Sequence, residues 1–252
     1  MKHQILIASY RKDFEFLFWN LKSIAKFGTG FLCPVIAVTE EDRDAAEDVT
    51  KRAKIGVVKI WQGPGFGRAQ DAMMNGDTLC PEADYYWLLG SDCFATASFS
   101  PADFCGADGK PIMLWATWEH MQRYASPAMV WKAGVEKAFG WDSQGEFMRR
   151  LPLAYPTKML SPMREFIAKR HNTSFQAYVW HEVNRTRNFS ESNVMGEWAW
   201  RHAQDAYNWI NIEQRPQPWP VNPVLQFWSH GGMDRVTYNG KSPRQVIKES
   251  GV

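Results

Sequence analysis

The chain is poor in cysteine, nearly neutral overall, and without a long apolar run. Its four cysteines, Cys33, Cys80, Cys93 and Cys105, form no Cys-x-x-Cys pair and have no histidine beside them. That pattern excludes a disulfide framework and a zinc ribbon, and predicts reduced, mostly buried thiols in an intracellular protein. No stretch approaches the roughly 18 apolar residues that a membrane span requires. Met1-Lys2-His3-Gln4 leads straight into a strand, which leaves no room for a signal peptide. A soluble, cytoplasmic protein is the expectation. A formal charge of +2 on 252 residues excludes a binder driven by a charged tail. There is no internal repeat and no low-complexity tract, so one α/β unit with a decorated C-terminal half is the simplest reading of this length.

What is present is unevenly placed. Residues 1–148 carry 15 Lys plus Arg against 19 Asp plus Glu, whereas the remainder carries 14 against 8. The second part is therefore where an anionic partner is expected. Thirteen tryptophans are many for this length, and indole rings stack on sugars and bases as well as filling cores.

The stretch that organises the rest is 83–94, Ala-Asp-Tyr-Tyr-Trp-Leu-Leu-Gly-Ser-Asp-Cys-Phe. It reads as an apolar strand over 85–89 that stops at Gly90 and then presents one carboxylate, Asp92. Upstream, apolar runs at 4–8, 34–38 and 55–60 predict three more strands. Between them lie an amphipathic helix over 14–26, with Phe14, Leu17, Phe18, Leu21 and Ile24 on one face, and a charged helix from Thr39 to about residue 53. A glycine-rich bend at 63–67 precedes a further helix over 68–75. Such alternation predicts a mostly parallel sheet with right-handed crossovers, its loops at 9–13, 39–42, 63–68 and 90–92 gathered on one edge. Open α/β sheets bind ligands at that edge. Downstream, the pattern predicts a strand over 111–115, helices over 132–139 and 143–150, and an extended linker at 155–158. Helices over 161–170, 173–183 and 191–207 follow, the last capped by Ser190. A strand over 209–212 and a crossing marked by Pro216, Pro218, Pro220 and Pro223 lead to a final strand over 224–228, which ends at Ser229-His230-Gly231-Gly232.

Laid out in this order, residues 4–232 resemble the GT-A class of nucleotide-sugar glycosyltransferases. The resemblance implies a single GT-A-like, Rossmann-like domain whose central sheet is mostly parallel and flanked by helices. Residues 1–110 would form the nucleotide-sugar-binding half and 111–252 a helical acceptor-binding half. In that class the loop after the first strand holds the base and ribose. Ser9, Tyr10 and Asp13 match it by position, Tyr10 for stacking and Asp13 for a polar contact to uracil or ribose. Ala8, Thr39, Gly90 and Ser91 would border the same donor site. Arg68 matches an arginine that forks onto the diphosphate, and Gln70 and Asp71 lie one turn on, within reach of the sugar. The class motif Asp-x-Asp aligns with Gly90-Ser91-Asp92, so the first aspartate is missing. Asp92 matches the aspartate that ligates Mn²⁺ or Mg²⁺ across the two phosphates, and His230 stands where relatives add a late histidine ligand. Without the first aspartate, metal-independent binding through Arg68 is also open.

Glu191 resembles the acidic residue that activates the acceptor hydroxyl, with Glu119 and Asp142 as substitutes. The donor would be a nucleotide sugar, UDP-linked for preference. The acceptor is either a glycan or a hydroxymethylated pyrimidine in DNA, the latter matched to Trp180, His181, Arg185, Arg187, Trp198, Trp200, Arg201 and His202. At least half of those tryptophans are expected to be core. Sugar-phosphate nucleotidyltransferases share the sheet but carry a glycine-rich signature after the first strand, where this chain has Ala8-Ser9-Tyr10-Arg11-Lys12. The non-enzyme alternative is a catalytically inactive module that binds a nucleotide sugar or nucleic acid.

Overall fold

Four apolar runs become parallel-type strands because each needs a neighbour for every backbone N–H and C=O, three of them in the buried centre of the sheet and the run at 57–60 on its exposed edge. The computed structural model describes residues 1–63, 67–149, 151–214, 222–227, 229–236 and 240–252. In it the four runs are β1 (His3–Ala8), β2 (Leu32–Val38), β3 (Val57–Ile60) and β4 (Tyr85–Leu88). Between them lie α1 (Phe14–Phe27), α2 (Arg43–Ala53), α3 (Gly67–Met73) and the single turn α4 (Gly76–Leu79). The second half contributes β5 (Cys93–Ala95), β6 (Ile112–Trp115), α5 (Trp118–Tyr124), α6 (Val130–Phe139) and β7 (Leu153–Pro156). It continues with α7 (Leu160–His171), α8 (Phe175–Thr186), α9 (Glu191–His202), β8 (Asn208–Asn211), β9 (Val224–Gln226) and α10 (Pro243–Ser250).

The central sheet has the order β3-β2-β1-β4-β7. β1 pairs in parallel with both β2 and β4, β2 in parallel with β3, and β7 runs antiparallel to β4. The architecture is α/β and compatible with a Rossmann-like fold. Alternate residues of each strand enter opposite layers. Ile5, Ile7 and Trp87 pack against Leu17, Leu21 and Ile24 of α1 and Val49 of α2. Leu6, Tyr86 and Leu88 pack on the other side with residues of α6 to α9, among them Phe139, Ile167, Val179 and Met195. A fully buried side chain of this kind contributes about 2–3 kcal/mol, so this double layer anchors the strand ends that carry the loops. No helix among the described residues is long and apolar enough to cross a membrane.

Several expectations need correction. Of the segment expected as a linker at 155–158, residues 155–156 end β7, the antiparallel edge of the sheet, and 157–158 begin a 3-10 turn. Pro156 is tolerated there because it ends an edge strand that needs no further donor. Residues 143–149 are not helical. Side chains of α9 take the N–H groups that a helix would have used: Glu197 accepts from Gln144 N at 2.8 Å and Asn193 Oδ1 from Phe147 N at 2.7 Å. Glu146 instead bridges Ala116 backbone to backbone. α9 stops at His202, because Ala203 has φ −145° and the chain turns toward β8. Of the cysteines, Cys80 and Cys93 are buried, Cys105 is partly covered and Cys33 is exposed, all unpaired. Pro64, Gly65 and Phe66 of the expected bend, Arg150, Pro216, Pro218 and Pro220 of the crossing, and Trp228 of the last strand lie outside the described residues.

Candidate functional site

β1 and β4 lie side by side where the crossovers change face: α1, which leaves β1, packs on one side of the sheet, and α3, on the way to β4, packs on the other. The crevice at such a switch point is where open α/β sheets hold ligands. Two buried hydroxyls close its floor: Ser91 Oγ donates to Ser9 Oγ at 2.9 Å, tying the loop after β4 to the loop after β1. Behind them Asn20 of α1, fully buried, donates from Nδ2 to the Gly90 carbonyl at 2.7 Å. The loop is fixed on its other side by β9, where Phe227 N donates to the Asp92 carbonyl at 2.7 Å.

This framing leaves the Asp92 carboxylate at the mouth of the crevice. Ser229 N donates to its Oδ2 at 3.1 Å. Gly90, where the class motif has an aspartate, is a space requirement here: a Cβ at that position would stand 2.6 Å from Asp92 Oδ1. A second acid is near, but it comes from the first loop. Asp13 shares Ser229 with Asp92 and is hydrogen-bonded to Tyr10. Burial raises the pKa of Asp92, and the negative charge of Asp13 raises it further against the Ser229 N–H bond. Asp13 is also raised, chiefly by burial.

A cleft of about 1010 Å³ opens from this edge. Ala8, Ser9, Tyr10, Asp13, Arg68, Gln70, Gly90, Ser91, Asp92 and Glu191 all line it. Ten of the residues singled out from sequence, from the ends of β1 and β4, the start of α3 and one distant helix, therefore share one cavity. Arg68, half-buried at the start of α3, makes no hydrogen bond or ion pair with any described residue. Gln70 is 6% exposed, and its Oε1 is buried without a partner among the described residues. A half-buried guanidinium with no carboxylate on it among the described residues is suited to an anion entering the cleft. Glu191 enters at the start of α9, which Ser190 caps by accepting from Asn193 N at 3.3 Å. Burial raises its carboxyl pKa, although the Ser192 hydroxyl donates to it at 3.2 Å.

Other expected residues lie elsewhere. Thr39 is buried beyond β2, one strand away from the switch point, and does not line the cleft. Its loop is tied to the first loop instead, since Arg11 Nε donates to Asp42 Oδ1 at 3.1 Å. His230 is exposed in the turn Ser229–Gly231, next to the residue that bonds Asp92 but outside the cleft lining. Glu119 and Asp142 are exposed and do not reach the cleft. Asp71 faces away from it, fully buried. Its Oδ2 accepts from Trp61 Nε1 at 2.9 Å and Gln176 Nε2 at 3.0 Å, and its Oδ1 from Asn75 Nδ2 at 3.1 Å. Asp71→Ala would strand three donors, an expected loss on the order of 3 kcal/mol. At roughly 2–4 °C per kcal/mol for a chain of this size, a thermal melt should fall by roughly 6–12 °C.

Of the aromatic and basic residues of the second half, the tryptophans are buried or half-buried, whereas His181, Arg185, Arg187, Arg201 and His202 are exposed and do not line the cleft. Trp198 is buried and Trp200 packs against the same core. Arg201 Nε donates to Glu197 at 2.7 Å, and His202 stacks on Trp198 at 3.9 Å. Sequence reading missed Arg149, which lines the cleft while paired with buried Glu146, and Trp131, Met121 and Met148 on the same lining. Arg149 lay in a segment expected to be helical, so nothing marked it. The pattern of Met121, Ala128 and Trp131 carried no chemistry a motif would reveal. No protein-family model matches this chain, and no curated protein matches it.

Proposed function

We propose that the chain is a GT-A-type glycosyltransferase that moves a sugar from a nucleoside diphosphate, UDP for preference, to a hydroxyl. The observation that carries this reading is the Arg68 guanidinium, without a hydrogen-bond or ion-pair partner among the described residues, in the same cleft as Asp13, Asp92 and Glu191. A guanidinium fork fits a diphosphate, and the two hydroxyls and Tyr10 of the first loop suit a nucleoside.

The donor set near Asp92 fits a hard divalent ion. Among the described residues no three His, Cys, Asp or Glu side chains form a closed cage. Mg²⁺ and Mn²⁺, however, are commonly held by one or two carboxylates plus substrate phosphates and water. Asp92 and Asp13, both disfavoured as anions by burial, supply oxygen-only ligands of that kind. When bound, such an ion supplies charge neutralisation on the departing diphosphate.

In an inverting displacement the acceptor oxygen forms its bond to the anomeric carbon as the bond from that carbon to the phosphate oxygen breaks. The acceptor proton passes to the Glu191 carboxylate, and the nucleoside diphosphate leaves with the bonding electron pair. The raised pKa of Glu191 suits a base that must take up that proton. Ser9 and Ser91 hold the two loops in register, and the buried sheet keeps them from moving apart.

The test is UDP release from UDP-glucose, UDP-galactose and UDP-N-acetylglucosamine in MnCl₂, with water standing in for the acceptor. Slow, saturable release from at least one donor is expected. Absence of both release and UDP binding would set this reading aside in favour of a site for a different ligand.

A further inference from the structure

We infer that the acceptor is a small hydroxyl compound with an apolar, preferably aromatic, body, and that Trp131 is the surface on which that body lies. The reaction assigned to it rests on the glycosyltransferase reading; the binding site does not. The cleft divides by composition. Its polar lining comes from the ends of β1 and β4 and the start of α3, together with Glu191. The remaining lining is mainly apolar, Met121, Pro127, Ala128, Trp131, Met148 and Leu151 from the α5–α6 segment and the chain leading into β7, with Arg149, Ser192 and Gln226 as its polar members.

Size supports two ligands. At about 1010 Å³ the cleft stands at the top of the range, roughly 300–1,000 Å³, that serves one drug-sized molecule. A nucleotide sugar bound along the polar lining leaves the apolar part for a second body. That part contributes one cation, Arg149, and Glu146 already engages it. Methionine, alanine and leucine side chains offer no partner to the hydroxyls of an oligosaccharide or the phosphates of a nucleic acid, whose desolvation there would go uncompensated. A half-buried indole edged by methionines is suited to a flat ring. The apolar character continues outward, since Tyr124 and Val130, beside this segment, are 75% and 45% exposed. Arg201 and His202, which would have favoured DNA, are engaged by Glu197 and Trp198, and neither they nor Arg185 and Arg187 line the cleft.

The reacting hydroxyl would lie toward Glu191, which lines the same cavity. Its oxygen bonds the anomeric carbon, its proton goes to the Glu191 carboxylate, and UDP departs with the electron pair.

The full chain titrated calorimetrically with 4-nitrobenzyl alcohol tests the site without any donor. Saturable binding is expected, weakened about tenfold in Trp131→Ala and restored in Trp131→Phe. Absence of binding to the wild-type chain, or equal binding to all three proteins, overturns the inference. A parallel titration with UDP reports the donor site separately, so either reading can fail while the other stands. With a UDP-sugar present, UDP release is then compared among 4-nitrobenzyl alcohol, maltotriose and a duplex containing hydroxymethylcytosine. The aryl alcohol should accelerate release at least tenfold over water and yield an aryl glycoside by mass spectrometry. Its KM should rise about tenfold in Trp131→Ala, with the KM of the UDP-sugar changed less than twofold. Acceleration by the trisaccharide or the duplex alone would contradict the assignment.

Discussion

Asp92→Asn is expected to lower UDP release from a UDP-sugar about a thousandfold or more, while raising the melting temperature of the free protein at pH 7. The loss follows from removing the charge that would hold a cation against the departing diphosphate, a contribution commonly worth several kcal/mol. The gain follows from linkage. Burial, and then the charge of Asp13, hold the pKa of Asp92 above its ordinary value, against the opposing bond from Ser229. A carboxyl raised in the folded state favours folding only while protonated. That benefit is complete below the unfolded pKa, about 3.9, and is lost as pH rises through the folded value. At pH 7 ionised Asp92 therefore costs stability. Asparagine keeps an oxygen for the Ser229 N–H and discards the charge. Melts at pH 7 and pH 3, paired with turnover, check both parts: the gain should be present at pH 7 and disappear in acid. A variant that is fully active, or less stable than the wild type at pH 7, would place Asp92 in a structural role.

Glu191→Gln should lower acceptor-dependent turnover by roughly 10²–10⁴, the range for a lost general base. It should also remove the acidic limb of the pH profile. Burial raises Glu191 despite its place in the first turn of α9, where the helix dipole and the Ser192 hydroxyl favour the anion. In the wild type the base form fills as pH rises through that raised pKa, so kcat should climb along that limb. In the glutamine variant it should be flat there. The KM for the UDP-sugar should change little, because the nucleotide contacts assigned to it belong to the first loop and Arg68. Loss of UDP binding with an unchanged pH profile would mark Glu191 as a positioning residue for the donor.

The sheet was legible because parallel strands buried on both faces leave continuous apolar runs, and 4–8, 34–38 and 85–89 are such runs. Their alternation with amphipathic helices fixed the edge at which loops meet, which is why Ser9, Asp13, Arg68 and Asp92 could be read as one site. Thr39 was misassigned for a topological reason. Strand order puts β2 away from the β1/β4 crevice, and order is not written in the sequence of strands. Pro156 disguised β7, because a proline in an edge strand looks like one in a linker. Residues 143–149 have helical composition, yet Glu197 and Asn193 capture their N–H groups from a helix some fifty residues on. That competition is tertiary and leaves no local trace. α10, by contrast, announces itself through Ser242-Pro243 and Gln245, a capping box with proline at the first helical position that goes unread in a scan for apolar strands. Asp71 shows the same limit at one residue. One turn from Arg68 in sequence, it is turned inward by three donors that only the folded chain supplies.

A crystal structure of the full chain grown with UDP and MnCl₂ tests the donor site most directly. The diphosphate should lie within hydrogen-bond distance of Arg68, with the uridine against Tyr10 and Asp13 and the ion on Asp92. UDP bound away from the β1/β4 edge, or a diphosphate that leaves Arg68 without a contact, would contradict it.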